Sequence, residues 1–404
     1  MVQWNERSLS PQRILRRLRR DPELPAPAIA AVREDAKGLP PKDPGIERFC
    51  AEGVSWLHRA QDRSASADGG IARDYGLLHG WATSYPETTG YIVPTLLDYA
   101  RIEQSEASRT RARKALDWLA AIQLPEGGFQ GGRIDAKPVV PVTFNTGQIL
   151  LGLVEGHREF GAYGDAMTRA ADWLVATQDP DGCWRKFPTP FAKPGEKAYE
   201  THVSWGLFEA ERAAPGRGYG EAGLRQVGWA LRFQRKNGWI DNCCLNDSRR
   251  PLTHTLGYAL RGIVEAYRLS GDTPVLLAAR RTADGLLTAL GRDGFLPGRM
   301  FCDWRGAVPW ACLTGTVQIA HSWLLLYDAV GDTRYRDAAF LANRYVRRTM
   351  SIDGPPETRG GIKGSFPIDG DYGRYEYLNW AVKFAVDSNL MERAIRDREG
   401  LDCF

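Results

Sequence analysis

One turn, written six times, constrains this chain more than any other feature. In "WLVATQDPDGCW", Trp173 to Trp184, an aromatic residue and a leucine are followed at fixed spacing by Gln178, Gly182 and Trp184. "WLAAIQLPEGGF", from Trp118, matches it position for position, and "WALRFQRKNGW", from Trp229, matches with one residue deleted. "WLHRAQDRSASADGGI", from Trp56, carries an insertion before its glycines, and "GLLTALGRDGF" from Gly285 and "YVRRTMSIDGP" from Tyr345 are weaker copies. A period of roughly 55–62 residues fits a helix-pair repeat. Between the anchors run six segments whose apolar residues recur at spacings of three and four, as helices require. They include "TFNTGQILLGLVEGHREFG" and "LTHTLGYALRGIVEAYRLSG".

Each helix pair has an apolar face that only a neighbour can cover. Six pairs close into a ring, and an open solenoid, which needs polar capping repeats, is the rival. Gly147, Gly152, Gly206, Gly257, Gly262 and Gly315 all fall in the second set of helices, where small residues permit close approach. That set is therefore the expected inner ring. The predicted fold is all-α, an (α/α)6 toroid over residues 46–404, preceded by a basic, Pro-rich extension over 1–45.

Bulk properties agree with a globular protein of this size. Of the 404 residues 43% are apolar and 25% charged, and 13 tryptophans suit a large core or an aromatic-lined cleft. A net charge of +4 makes no case for nucleic acid. No apolar run reaches the ~20 residues of a membrane span. The N-terminal "RILRRLRR" reads as a solvated basic arm, with an anionic surface as its alternative ligand. It lacks the apolar stretch of a secretory signal, and seven cysteines without an export signal point to reduced thiols in the cytoplasm.

The aromatic-Leu-x3-Gln-x3-Gly-x-Trp pattern resembles the QW-type repeat of terpenoid cyclases. "GGFQGG", Gly127 to Gly132, resembles the repeat of protein prenyltransferase β-subunits. Both resemblances imply an α/α toroid over about residues 46–395. They imply little chemistry, because one toroid hosts cyclases, glycosidases, lyases, uronate epimerases and lanthionine cyclases.

In such a ring the turns after outer helices and the starts of inner helices border one mouth, with partial positive charge at the helix N-termini. The inner starts are unusually polar. The candidate catalytic residues are His202, His254, Tyr258, Glu87, Glu200 and Asn145. The candidate substrate contacts are Arg73, Tyr75, Tyr91, Gln148, Trp205, Arg261, Gln318, Lys363, Tyr377, Asn379, Trp380 and Lys383. Any one of the Thr, Asn or Glu residues is an ordinary helix cap; six polar starts together describe a funnel.

Aromatic faces with Asn, Gln, Arg and Lys suit a glycan, one with uronate groups above all. Removing a proton beside a carboxylate needs a neutralising group (Asn145, Gln148), a base (His202 or His254) and an acid (Tyr258). By residue type and place this resembles toroid polysaccharide lyases and glucuronyl C5-epimerases. Glu87 and Glu200, at matching positions of two repeats, offer hydrolysis as the variant. Such an enzyme fits polysaccharide biosynthesis or turnover and needs no cofactor. Three alternatives stand beside it. Terpenoid cyclisation is weakened because the chain has no DxDD, only "DGDY" from Asp369. A zinc toroid of the prenyltransferase or lanthionine-cyclase kind would draw on Cys243, Cys244, Cys312 and His254. The last is a non-catalytic glycan or peptide binder.

Overall fold

The computed structural model describes residues 24–193 and 195–402; the basic "RILRRLRR" lies outside them. The chain is an all-α ring of two concentric layers. The outer layer is α2 (Ile46–Asp62), α4 (Glu106–Ile122), α6 (Gly164–Thr177), α8 (Tyr219–Leu231), α10 (Thr273–Ala289) and α12 (Thr333–Arg347). The inner layer is α3 (Pro86–Glu103), α5 (Thr143–Phe160), α7 (Thr201–Ala213), α9 (Thr253–Ser270), α11 (Leu313–Val330) and α13 (Asn379–Glu399). A short helix, α1 (Ala26–Asp35), precedes them. Each inner helix packs against the next, and α13 returns to α3. The last inner helix also packs on the first outer one, α2, so the two ends of the chain close the ring.

The recurrent turn acts as a clamp between neighbouring outer helices. Gln178 donates through Nε2 to the Gly182 carbonyl of its own turn (3.0 Å) and to the Ala222 carbonyl of α8 (2.9 Å). Arg225 of α8 donates back to Gln178 Oε1. Trp184 pins the turn by donating from its indole to the Leu174 carbonyl at 2.9 Å. Gln61 and Gln123 repeat the arrangement with Arg111 and Arg169, and Gln234 does so with Arg281, reaching the Gly238 carbonyl through the Thr282 hydroxyl. Leu290 and Met350 stand where the fifth and sixth glutamines would be, which is why those copies are weak. Gly182 has φ +95°, and a Cβ there would lie 2.5 Å from the Arg225 carbonyl oxygen.

Ring closure rests on the same device. Gly360, at φ +78°, abuts α2 so closely that a Cβ would stand 2.0 Å from the Glu52 carbonyl oxygen. Gly360→Ala therefore combines a strained backbone with an overlap against rigid helix. It is expected to destabilise by about 2–4 kcal/mol, read by denaturant unfolding. A midpoint unchanged from the wild type would show that the closing turn relaxes freely.

The inner ring is as crowded as its glycines predict. A Cβ on Gly152 would meet the Gly90 carbonyl oxygen at 2.3 Å, and one on Gly206 the Gly147 carbonyl oxygen at 2.5 Å. Residues 24–45 lie against the sixth repeat. Ala28 and Val32 join the core, Asp35 pairs with Lys363, and Asp43 pairs with the buried Arg347.

The six long loops that lead from outer to inner helices gather at one end and are hydrogen-bonded in sequence around the ring. The contacts are Ile134 N to Ser84 O, Thr143 N to Phe187 O, Ala198 N to Asn242 O, Thr253 N to Gly298 O, Leu313 N to Gly364 O and Asn379 N to Arg73 O. Short strands thicken this rim. β1 (Asp74–Gly76) lies between β2 (Gly80–Trp81) and β5 (Glu376–Leu378), and β3 (Ala311–Cys312) pairs with β4 (Ser365–Phe366). Among the described residues no helix is long and apolar enough to cross a membrane.

Candidate active site

A cavity of about 450 Å³ opens within the rim, lined by residues that include Arg73, Asp74, Tyr85, Arg133 and Glu376. Tyr85 is one of its lining residues, and its hydroxyl donates to Glu87 Oε2 at 3.0 Å. Glu87 is buried at the start of α3. Burial raises its pKa to about 7, against the lowering effects of the Tyr85 hydrogen bond and the nearby Arg73.

Three rings from two inner helices meet beneath the loops, inclined to one another by 61° and 51°. Tyr258 on α9 sits between His202 of α7 and His254, one helical turn earlier on α9, with ring centroids 4.4 and 4.3 Å away. The i,i+4 spacing places His254 and Tyr258 on one helix face. Each imidazole is held by a glutamine from a neighbouring inner helix. His202 Nδ1 lies 2.6 Å from Gln148 Oε1, and His254 Nδ1 lies 2.8 Å from Gln318 Oε1. With an amide oxygen facing it, Nδ1 carries the proton and Nε2 keeps the lone pair. Burial lowers the His254 pKa to about 4, partly offset by the Gln318 hydrogen bond. Burial first, then the positive charges of Arg261 and Lys383, holds His202 well below the ordinary value. Both rings are thus neutral bases at neutral pH. Burial also keeps the Tyr258 phenol protonated, far above its usual range.

The inner starts also leave buried polar atoms without partners: His202 Nε2, Gln148 Nε2, Gln318 Nε2, Tyr91 OH, Thr314 Oγ1 and both amide atoms of Asn145. Asn145 lies near enough to the Tyr85 hydroxyl to lower its pKa, yet neither amide atom completes a hydrogen bond of normal geometry. Buried polar groups are nearly always paired with protein or with water, so these atoms are open to either water or a polar ligand.

The other sequence candidates divide. Trp380 lies beneath the Arg73 guanidinium, 5.1 Å from its ring centroid, and donates from its indole to Tyr372. Tyr91, Lys383, Trp205 and Arg261 form a deeper layer. Lys383 pairs with Asp387 and approaches the Tyr91 and Trp205 rings, while Arg261 stacks 3.9 Å from Trp205 and bonds Glu265. Burial lowers the Lys383 pKa against the pull of Asp387. Glu200 ends a single 3-10 turn beside Tyr199, with Lys197 near it. Burial raises its pKa to about 8, and its Oε2 has no partner.

Several residues are engaged away from the cavity. Lys363 pairs with Asp35, securing α1 to the sixth loop. Tyr75 and Tyr377 face each other across the β1–β5 ladder, and alternation turns them from the face that bears Asp74 and Glu376. Asn379 spends its amide NH2 on the Ala72 carbonyl and Thr88. The zinc alternative meets a geometric obstacle: among the described residues the only convergent His/Cys/Asp/Glu group is Asp74, His79 and Glu376. Cys243, Cys244 and Cys312 do not converge with His254, and burial raises the pKa of all three thiols. "DGDY" supplies no buried acid of the cyclase kind, since the Asp371 side chain is 83% exposed and pairs with Arg299.

Sequence reading missed Tyr85, Asp74, His79, Arg133 and Glu376. Tyr85 was within reach, as it immediately precedes α3 and its Glu87.

Together these features define the α/α toroid class, with a polar site at the loop end of the ring. No family model matches the chain and no curated protein matches it in sequence. Solved structures match it in shape. An unsaturated glucuronyl hydrolase specific for heparin superposes with a TM-score of 0.71 at 15% identity, over 87% of this chain and 98% of that one. The cellobiose 2-epimerase of Bacillus thermoamylovorans gives 0.67 at 14%, over 86% and 99%. A D-mannose isomerase gives 0.65 at 12%, over 85% and 97%. At these identities the likeness establishes the fold.

Proposed function

We propose that the chain is a carbohydrate-active enzyme that moves a proton at a carbon next to a carbonyl or carboxylate of a sugar unit, in polysaccharide biosynthesis or turnover. The observation that carries this reading is the His202–Tyr258–His254 cluster: two neutral imidazoles, each fixed by a glutamine through Nδ1 and offering Nε2, flank one phenol. One imidazole takes the proton, the electron pair moves onto the adjacent oxygen, and an acid protonates that oxygen. Return of a proton to the other face, while that oxygen gives its proton back to the acid, inverts the centre; return to the neighbouring carbon, while the hydroxyl on the first carbon gives up its proton, isomerises the sugar. Glu87 or Tyr258 is the acid, both being protonated near neutrality. The orphaned amides of Asn145, Gln148 and Gln318 supply hydrogen bonds for sugar hydroxyls. Arg73 and the half-exposed Arg133 at the cavity suit a uronate carboxylate. The structures of similar shape, a heparin-specific glucuronyl hydrolase, a cellobiose 2-epimerase and a mannose isomerase, lend support from chemistry on the same ring.

Hydrolysis is the second reading, and Glu87 as a protonated acid favours it. A two-carboxylate mechanism also needs an ionised partner, whereas Glu200 is held protonated as well. For that reason proton abstraction ranks first. Incubation in heavy water with reducing disaccharides and with uronate oligosaccharides separates the two. We expect deuterium at one carbon position, seen by NMR, without chain cleavage. Cleavage without exchange would overturn proton abstraction and establish the hydrolase.

A further inference from the structure

We infer that the rim of the cavity holds a divalent metal ion of the zinc or manganese class on Asp74 Oδ1, His79 Nε2 and Glu376 Oε1. The three ligand atoms lie within 4.8 Å of one another. His79 Nε2 stands 3.4 Å from Asp74 Oδ1 and 3.9 Å from Glu376 Oε1. Ligands about 2.1 Å from a tetrahedral ion stand roughly 3.4 Å apart, so small movements complete the set. One imidazole with two carboxylates suits zinc or manganese.

Three features distinguish this group from a chance gathering of surface charges. The Asp74 side chain is only 1% exposed, and its Oδ1, the atom turned toward His79, has no hydrogen-bond partner. Its other oxygen accepts from Arg73 Nη1, which also donates to Glu376 Oε2. Arg73 thus fixes both carboxylates from behind and leaves one oxygen of each for the ion, as outer partners of metal ligands do. Finally, the fold is built to deliver the imidazole. Glu376 lies opposite Gly76 in the β1–β5 ladder, and the turn from β1 to β2 folds His79 back over that same glycine. A Cβ on Gly76 would stand 2.2 Å from His79 Nε2, so a side chain there would push the ring out of this position.

All three residues line the cavity, so the remaining coordination positions face any ligand that enters it. Hydroxyl pairs and carboxylates are the groups such an ion would take. The site rests on its own geometry and stands or falls separately from the proton-transfer reading.

The test is direct binding, independent of turnover. Untagged, chelator-stripped protein is titrated with cobalt chloride as the spectroscopic probe, and zinc chloride is then added. One saturable equivalent, a visible ligand-field band and its displacement by zinc are expected. His79→Ala should abolish the band, and Glu376→Gln, the more conservative change, should weaken binding at least about tenfold. Gly76→Ala should act like His79→Ala by displacing the ring. Circular dichroism confirms that each variant is folded. Absence of saturable cobalt binding by the wild type would overturn the assignment and leave His79 as a third member of the Arg73 ion-pair group. Binding undiminished in both His79→Ala and Glu376→Gln would overturn it equally.

Discussion

Replacing His254 with alanine is expected to cut turnover by about 10²–10⁴-fold, the range that a positioned general base supplies. The fold should survive. The ring is buried, but its one fixed partner is the Gln318 amide, and leaving that oxygen unpaired costs about 1–3 kcal/mol. His202→Ala should act alike, since Gln148 holds its ring in the same way and the two imidazoles lie on either side of Tyr258. The double variant then discriminates. If the two rings work as one acid–base unit, removing both costs little more than removing one, because groups that act together are strongly non-additive. Tyr258→Phe keeps the ring contacts and deletes the hydroxyl, so a loss there assigns the effect to the phenol's proton. Deuterium exchange into the substrate is the readout, with denaturant unfolding as the control for folding. Wild-type exchange in His254→Ala and His202→Ala would remove both rings from the chemistry.

The ring was legible because its construction is periodic. The glutamine at a fixed distance from Trp173, Trp118 and Trp229 is the residue that clamps adjacent outer helices, and the glycines of the inner set occupy its tightest contacts. Helix-start positions named His202, His254 and Tyr258, whose rings the structure brings together, and Glu87, which bonds Tyr85. The pairing within the rim was hidden for two physical reasons. Its strands are two or three residues long, too short for alternation to register, and they join residues some 300 positions apart, as Arg73 and Glu376 show. His79 therefore gave no signal, and the ladder that turns Tyr75 and Tyr377 from the face of Asp74 and Glu376 was hidden. Charge state was hidden as well. Glu87 and Glu200 look equivalent in sequence. Only the fold reveals that one bonds Tyr85 at the cavity while the other sits beside Tyr199 and Lys197 with an oxygen unpaired.

Glu87→Gln is the second large effect expected. The amide matches the carboxyl in shape and can accept from Tyr85, but it cannot give up a proton, so turnover should fall by about 10²–10⁴-fold if Glu87 is the acid. The pH profile of kcat/KM sharpens the test. The reaction needs His254 unprotonated and Glu87 protonated, so the rate should rise through pH about 4 and fall through pH about 7. Residual turnover in Glu87→Gln should lack the fall near 7. Stability gives an independent reading of the same proton. Between the ordinary carboxyl value of 4.5 and about 7, folded Glu87 holds a proton that the unfolded chain has released. Stability therefore declines as pH rises through that window and levels off above it, by about 3 kcal/mol in all at roughly 1.4 kcal/mol per pH unit. His254 acts in the opposite direction. Its folded pKa of about 4 lies below the ordinary 6.5, so its contribution is lost as pH falls from 6.5 toward 4. Glu200 adds a decline of its own up to about 8, so the informative quantity is the difference between wild type and Glu87→Gln. The wild type should lose stability relative to the variant from pH 4.5 to 7 and run parallel to it above. Parallel curves throughout, together with an unchanged falling limb, would show that Glu87 is ionised in the folded chain and is not the acid.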